Sequence, residues 1–243
     1  MRLYALSCLS ALACGRISFA PLDRTSDAAA DAVGDAAPVE PNLLLHYAFD
    51  ATTGMLHDSG PYAHDASCKF GCPTALAGRV GDGAVSFDGT QCVVAPDGPE
   101  QHAAAFTIAL WIAGGPGNSS TNAMARPLNG ATTANDTWEI AFNSTPANVI
   151  AGLDPVWTID AVTVGWHHVA LVYDGSKQLL YVDGAAPQGP TASGPAIYAT
   201  DSIAIGCDIN AGALATPYIG AIDDVRVYDR AFTQADVQAL MAL

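Results

Sequence analysis

The chain has 243 residues, half of them apolar and only 14% charged, enough apolar material to bury the core of one or two domains. Its 24 Asp and Glu against nine Lys and Arg leave a formal charge of −15. That balance excludes nucleic acid, sulfated polysaccharide and electrostatic docking on anionic lipid, all of which need clustered cations.

The N-terminus reads as an export signal. Arg2 precedes an apolar run over residues 3–13, too short to span a bilayer and of the length of a secretory core. At its end, Ser10-Ala11-Leu12-Ala13-Cys14-Gly15 resembles a bacterial lipobox, in which Cys14 would be cleaved free and lipidated. The usual Leu three residues before the cysteine is Ala11 here, and an ordinary signal peptide with an incidental Cys14 is the alternative. Several acyl chains would hold the protein on a membrane, because each buried methylene contributes about 0.8 kcal/mol. Residues 14–42 are rich in Ala, Asp, Gly and Pro and have few large apolar side chains, so they are expected to form a disordered, lipidated tether. The expected order is signal peptide (1–13), tether (14–42) and one folded domain (43–243), placed in the bacterial envelope, at the outer membrane or cell surface.

Within the domain, short apolar segments follow one another at strand length. LLLHYAFD (43–50), GRVGDGAVSFDG (78–89), CVVAP (92–96) and FTIALWI (106–112) occupy the first half. In the second half, Val169, Leu171 and Tyr173 lie on one face of a strand that stops at Asp174-Gly175. The next strand stops at Asp183-Gly184, and both pairs supply the positive φ angles of tight turns. Turns at this spacing imply antiparallel strands, since parallel ones would need helical crossovers. Thr233 with Asp236 forms a capping-box pattern, and Val237 and Leu240 give the short helix after it one apolar stripe.

The segments named above, with HDSGPYAHDA (57–66), WHHVA (166–170), YVDG (181–184), Ile205-Gly206 and GAIDDVRVYDRAFTQADV (220–237), stand in an order that resembles a laminin-G-like domain of the concanavalin-A-like superfamily. The resemblance covers residues 43–243. It implies an all-β, two-sheet antiparallel jelly roll with one short C-terminal helix, in which the first strand pairs near the last. Most relatives bind carbohydrate or protein, and only some catalyse a reaction.

Cys8 leaves with the signal and Cys14 is assigned to lipid, so Cys68, Cys72, Cys92 and Cys207 remain, an even set typical of an oxidising compartment. Three pairings are possible. Closure of the short turn favours Cys68 with Cys72, and the strand-like settings of the other two favour Cys92 with Cys207. A zinc site made of all four is the competing reading, and the isolated CxxxC argues against it.

Hydrolases on this fold need two or three clustered carboxylates. The glutamates are Glu40, Glu100 and Glu139, and Glu139 has no carboxylate at i+2 or i+4, so no catalytic residue is expected. Adjacent His167 and His168 point to opposite faces of a strand and cannot act as a ligand pair. A structural Ca²⁺ ion is implied by the resemblance, and the matching positions are Asp50, Asp88 and Asp223 or Asp224. The last two point to opposite faces unless a bulge intervenes. Trp138 and Trp157, in the polar middle section, are the candidate stacking surfaces for a sugar. These observations point to a non-catalytic cell-surface module, lectin-like or adhesive, that recognises a glycan or an envelope or extracellular protein. The alternatives are a carbohydrate-active enzyme and a purely structural envelope protein.

Overall fold

The computed structural model describes residues 40–51, 54–128 and 135–243. The signal peptide, Cys14 and the tether through residue 39 lie outside the described residues. The strands run in the order β1 (Leu43–Tyr47), β2 (Ser67–Cys68), β3 (Thr74–Leu76), β4 (Ala84–Asp88), β5 (Val93–Ala95), β6 (Phe106–Gly114), β7 (Thr121–Leu128), β8 (Asn135–Ser144) and β9 (Ala147–Leu153). They continue through β10 (Val156–Ala161), β11 (His167–Tyr173), β12 (Lys177–Val182), β13 (Gln188–Ala192), β14 (Ile203–Ile205), β15 (Asp208–Asn210), β16 (Ala213–Ala215) and β17 (Ile219–Tyr228), before helix α1 (Gln234–Leu240).

Two antiparallel sheets form the sandwich. The first has the order β13-β12-β11-β6-β17-β4-β3, with β1 also on β17; the second has the order β10-β9-β8-β7-β14-β5-β2. Alternation decides which side chains meet between them. Ile108, Leu110, Val169, Leu171 and Ile222 from the first sheet pack with Trp138, Ile140, Phe142, Val149 and Ile205 from the second. Each such side chain, when fully buried, contributes about 1.5–3 kcal/mol. On the far side of the first sheet, Ala109, Ala170, Val172 and Tyr181 form a second apolar cluster with Val237 and Leu240 of α1. The expected capping box starts that helix: Thr233 accepts from the Asp236 amide, and the Asp236 carboxylate accepts from the Thr233 amide.

Both Asp-Gly turns are present. Asp183 and Gly184 have φ of 50° and 62°, and the Ala185 amide donates to the Val182 carbonyl, the geometry of a tight hairpin turn. Asp174 uses its carboxylate to accept from the amides of Ser176 and Lys177.

β17 shares its outer edge between two partners: residues 219–222 pair with β4 and residues 225–228 with β1. The register on β6 slips between Asp223 and Arg226, so a bulge lies where the partner changes. Glu40, expected in the tether, bonds Arg226 and Tyr228, and the Asp229 amide donates to the Asn42 carbonyl. The chain is therefore fixed to β17 from Glu40 onward, three residues earlier than the apolar pattern indicates, by polar contacts that such a pattern does not register.

Cys92 and Cys207 are bonded with α-carbons 5.4 Å apart, and Cys68 and Cys72 are bonded with theirs 5.0 Å apart. The long bridge follows from sheet pairing, since Val93 lies opposite Ile205 and Ala95 opposite Ile203. It closes a span of 115 residues. Chain entropy gives about 4.7 kcal/mol for a loop near this size and much less for the short Cys68–Cys72 loop. Replacing Cys92 and Cys207 together with Ala should lower the melting temperature by roughly 10 °C or more, and the Cys68/Cys72 double replacement should lower it less. Calorimetry of the two variants checks the ranking, and an equal loss would contradict it.

Candidate functional site

The two outer faces of the sandwich differ. That of the first sheet carries α1 and a polar chain in which His46 Nε2 meets Asp224 at 2.8 Å, Arg226 Nε donates to Asp224 at 3.0 Å, and Arg226 continues to Glu40. That of the second sheet carries carboxylates. Ala125, Glu139, Gly152 and Trp157 form one cross-strand row over β7, β8, β9 and β10, so they share a face. Glu139 lies on the side opposite its neighbours Trp138 and Ile140, which are in the core. Trp157 lies opposite Thr158, whose hydroxyl bonds Gln178 inside the sandwich.

A β-bulge brings a second carboxylate to this face. Arg126 pairs with Trp138 and Pro127 with Asp136, so Thr137 is extra in β8. Pro127 is two residues from Ala125 and shares its face. Its partner Asp136 therefore sits on the same side as Glu139, although the two are three residues apart. The register slips again between Asn122 and Met124, and Asn122 reaches Glu139, donating from Nδ2 to Oε2 at 2.5 Å.

Asp208 arrives from the β15–β16 hairpin. After β14 the chain turns at Gly206, whose φ is +76° and where a Cβ would lie 2.1 Å from the Phe87 ring, so only glycine fits. The Gly206 amide donates to the Ala123 carbonyl, which holds the hairpin against β7. Asp208 is 2% exposed and shares a hydrogen bond with Asp136, itself 9% exposed.

This geometry raises the acids' pKa values. Burial, followed by the charges of Asp208 and Glu139, pushes the Asp136 carboxyl up to about 9. Burial also raises Glu139, against the opposing bond from Asn122, and raises Asp208, against the bond from the Ile209 amide. Asp136 Oδ1 and Asn210 Oδ1 are buried acceptors without a partner. Beside Asp136, a cavity of about 220 Å³ is lined by Asp136, Asp154, Asn135, Thr137 and Ile197, among others. A concave site with a few converging polar groups of shifted pKa is what a small-ligand site requires.

The residues singled out from sequence are distributed unevenly. Trp157 is 36% exposed at the end of the Glu139 row, with Ile159 beside it at 56%. Trp138 is 3% exposed and packs in the core against Phe106, which corrects the expectation that it offers a sugar-stacking surface. Polar neighbours surround Trp138 in sequence, yet it alternates into the core with Ile140 and Phe142. Glu139 has no carboxylate at i+2 or i+4, but the bulge at Thr137 brings it one at i−3, Asp136, because a search at even spacing assumes an unbroken strand. Asp208 carries no local signal at all, since it reaches Asp136 through the fold. His167 bonds Asp183, while His168 packs edge-on against Trp111 and burial holds its pKa down at about 4.

The four aspartates implied for calcium have hydrogen-bonding roles in the fold. Asp50 accepts from the amides of Asp82 and Gly83, and Asp223 accepts from those of Arg79 and Val80, so the pair clamps the 79–83 turn. Asp224 lies past the bulge in the ion pairs with His46 and Arg226. Asp88 caps its own turn by accepting from Thr90, and it pairs with Ile219, about 13 Å along β17 from Asp223. Asp223 Oδ1 is buried without a partner, yet among the described residues no three His, Cys, Asp or Glu side chains come close enough to hold a metal.

The chain belongs to the concanavalin A-like lectin/glucanase superfamily: the laminin-G-like family model matches residues 87–238. No curated protein is matched by the chain. Among solved structures, it is similar to domain 4 of AbnA, a GH43 extracellular arabinanase from Geobacillus stearothermophilus solved with arabinotriose. The identity is 22% and the TM-score 0.64, over 82% of this chain and 98% of that one. The binding domain of Paraclostridial Mosquitocidal Protein 1 is 14% identical with a TM-score of 0.64, over 82% of this chain and 52% of that one. Trypanosoma rangeli sialidase in complex with the inhibitor DANA is 16% identical with a TM-score of 0.60, over 82% and 32%. The chain thus spans about half of the toxin domain and a third of the sialidase. At these identities the likeness establishes the fold.

The raised acids set the pH dependence of stability. Between about pH 4 and about pH 9 the native Asp136 holds a proton that the unfolded chain has released, so its contribution to stability falls as pH rises through that window. Asp136→Asn removes this titration. The melting temperature of the native sequence should drop between pH 5 and pH 8.5, and that of the variant should drop less, by about 2–4 °C for each kcal/mol relieved. Identical slopes in a scanning-calorimetry series would show that Asp136 is ionised in the fold.

Proposed function

We propose that this chain is a non-catalytic glycan-binding module displayed outside the cytoplasm, with the outer face of its second sheet as the binding surface. The observation that carries the reading is the exposed Trp157 indole in the same cross-strand row as the Glu139–Asn122 pair, two strand spacings away, about 10 Å. That span fits a sugar ring stacked on the indole while a neighbouring residue bonds the carboxylate and amide. Arabinotriose in the complex of the similar arabinanase domain supports a carbohydrate ligand. A protein partner is the alternative occupant, supported by the similar binding domain of botulinum neurotoxin DC, solved with rat synaptotagmin II. Two disulfides fit an extracellular or secreted protein. Lipidation at Cys14 would tether the module to the envelope.

The same carboxylates favour a second reading, glycoside hydrolysis, because raised acids beside a cavity are what a general acid requires. Burial favours binding instead. Asp208 and Asp136 are 2% and 9% exposed and bonded to each other, and Glu139 is engaged by Asn122, so no two of them are free to flank a glycosidic bond.

Calorimetric titration with the glycans retained on an array, arabinotriose included, distinguishes the readings. Trp157→Ala should weaken binding about tenfold, or 1.4 kcal/mol, without shifting the melting temperature. Trp138→Ala should destabilise by about 3–5 kcal/mol instead. Turnover of any retained glycan, abolished by Glu139→Gln, would establish the enzyme. Binding unaffected by Trp157→Ala would move the site elsewhere.

A further inference from the structure

We infer that the module holds a glycan by a chain end or a one-sugar branch, with one ring in the cavity beside Asp154 and the next ring on Trp157, a refinement that rests on the glycan-binding reading. The cavity is walled by four separate stretches of chain: the end of β7, the start of β8, the β9–β10 turn and residues 194–197. A groove open at both ends lets a polysaccharide pass through, whereas a pocket walled on four sides admits only an end or a branch. Its volume of about 220 Å³ lies below the roughly 300–1,000 Å³ of drug-sized sites, room for one sugar ring and not two.

The lining suits such a ring. Leu153, Pro195 and Ile197 offer apolar contact to its C–H face, while Asn135 and Asp154 present an amide and a carboxylate to its hydroxyls. Asn135, Asp154, Pro195 and Ile197 are all exposed, so an entering ring can reach them. The 193–197 wall is held before any ligand arrives. Tyr173 donates its hydroxyl to the Gly194 carbonyl at 2.9 Å, Thr137 donates to the Ile197 carbonyl at 2.5 Å, and the Ser193 amide donates to the Ser176 carbonyl at 3.0 Å. A wall fixed in this way spares binding the cost of ordering it. Trp157 stands next to the cavity: Leu153 pairs with Val156, so Trp157 is one residue and one strand spacing from the lining, about 6 Å between α-carbons. Neighbouring rings of one oligosaccharide can therefore occupy both places at once.

The test uses the full chain and length series of linear arabinan, xylan, galactan and amylose, each as trimer, hexamer and polymer. Affinity per molecule that stays within about twofold across the series of a retained linkage is the expected result, because every unbranched molecule offers the same end. Affinity per molecule that climbs about tenfold or more from hexamer to polymer means recognition of the chain interior; it overturns this inference and leaves the glycan reading standing. At Gly194 an added Cβ meets nothing within 4 Å and the backbone is not left-handed, so Gly194→Leu narrows the cavity without strain. That variant should bind the retained trimer about tenfold more weakly at an unchanged melting temperature. Should it melt early, Asp154→Ala at the exposed turn takes its place, with a loss of about tenfold from the missing charged hydrogen bond. Full affinity in both variants also overturns the inference, even where Trp157→Ala weakens binding. Retention of no sugar at all overturns the glycan reading itself, and this inference with it.

Discussion

The C-terminal strand β17 is the element on which the rest of the sandwich depends. It lies against β6 on one edge, and on the other it serves β4 with its first half and β1 with its second. Two strands that follow one another on the same edge leave a gap at their junction, and the bulge between Asp223 and Arg226 sits there. The carboxylates around it close the gap. Asp223 and Asp50 take the amides of the 79–83 turn, and Asp224 gathers His46 and Arg226. Asp224 has φ of 47°, a left-handed conformation held by the partners on either side of it. Burial opposes its charge, but the bond to His46 and the nearby Arg226 prevail and keep its carboxyl below the ordinary range.

That closure gives the molecule its polarity. The outer face of the first sheet carries α1 and the ion-paired chain from His46 to Glu40. Among the described residues, no α-helix packs on the second sheet. Its outer face keeps two buried acceptors without donors, a partly exposed indole, and acids drawn together by one bulge and one hairpin. Bulges thus have opposite uses in the two sheets: in β17 the carboxylates are neutralised by amides and an arginine, while in β8 they are left facing one another.

Much of the architecture was legible in the sequence because its signals are local. The Asp-Gly turns, the alternation of Val169, Leu171 and Tyr173, and the Thr233–Asp236 box all follow from residues read in short windows, whereas the pairing of Cys92 with Cys207 spans 115 residues and had no local signal. The candidate site was largely hidden. Asp136 and Glu139 are three residues apart, a spacing that an unbroken strand sends to opposite faces, and only the pairing with β7 exposes the inserted residue. Asp208 approaches them from a hairpin more than 60 residues later in the chain. Trp138 and Trp157 looked alike in composition, and depth alone separates them. Glu40 belongs to the fold through two hydrogen bonds in a stretch with no apolar pattern.

The position of β17 also fixes when the domain can form. β1, β4 and β6 are among the earliest strands of the domain to be made, and each has an edge whose partner is residues 219–228. Until that strand is available, these edges present unpaired amides and carbonyls, and the first sheet cannot assemble in its native order. Contacts of such long sequence separation are slow to form, because the loop must close before they contribute. A nascent chain would therefore remain without its native first sheet until residues 219–228 are free, and a chain truncated before residue 219 would leave the edges of β1, β4 and β6 unpaired and prone to aggregation.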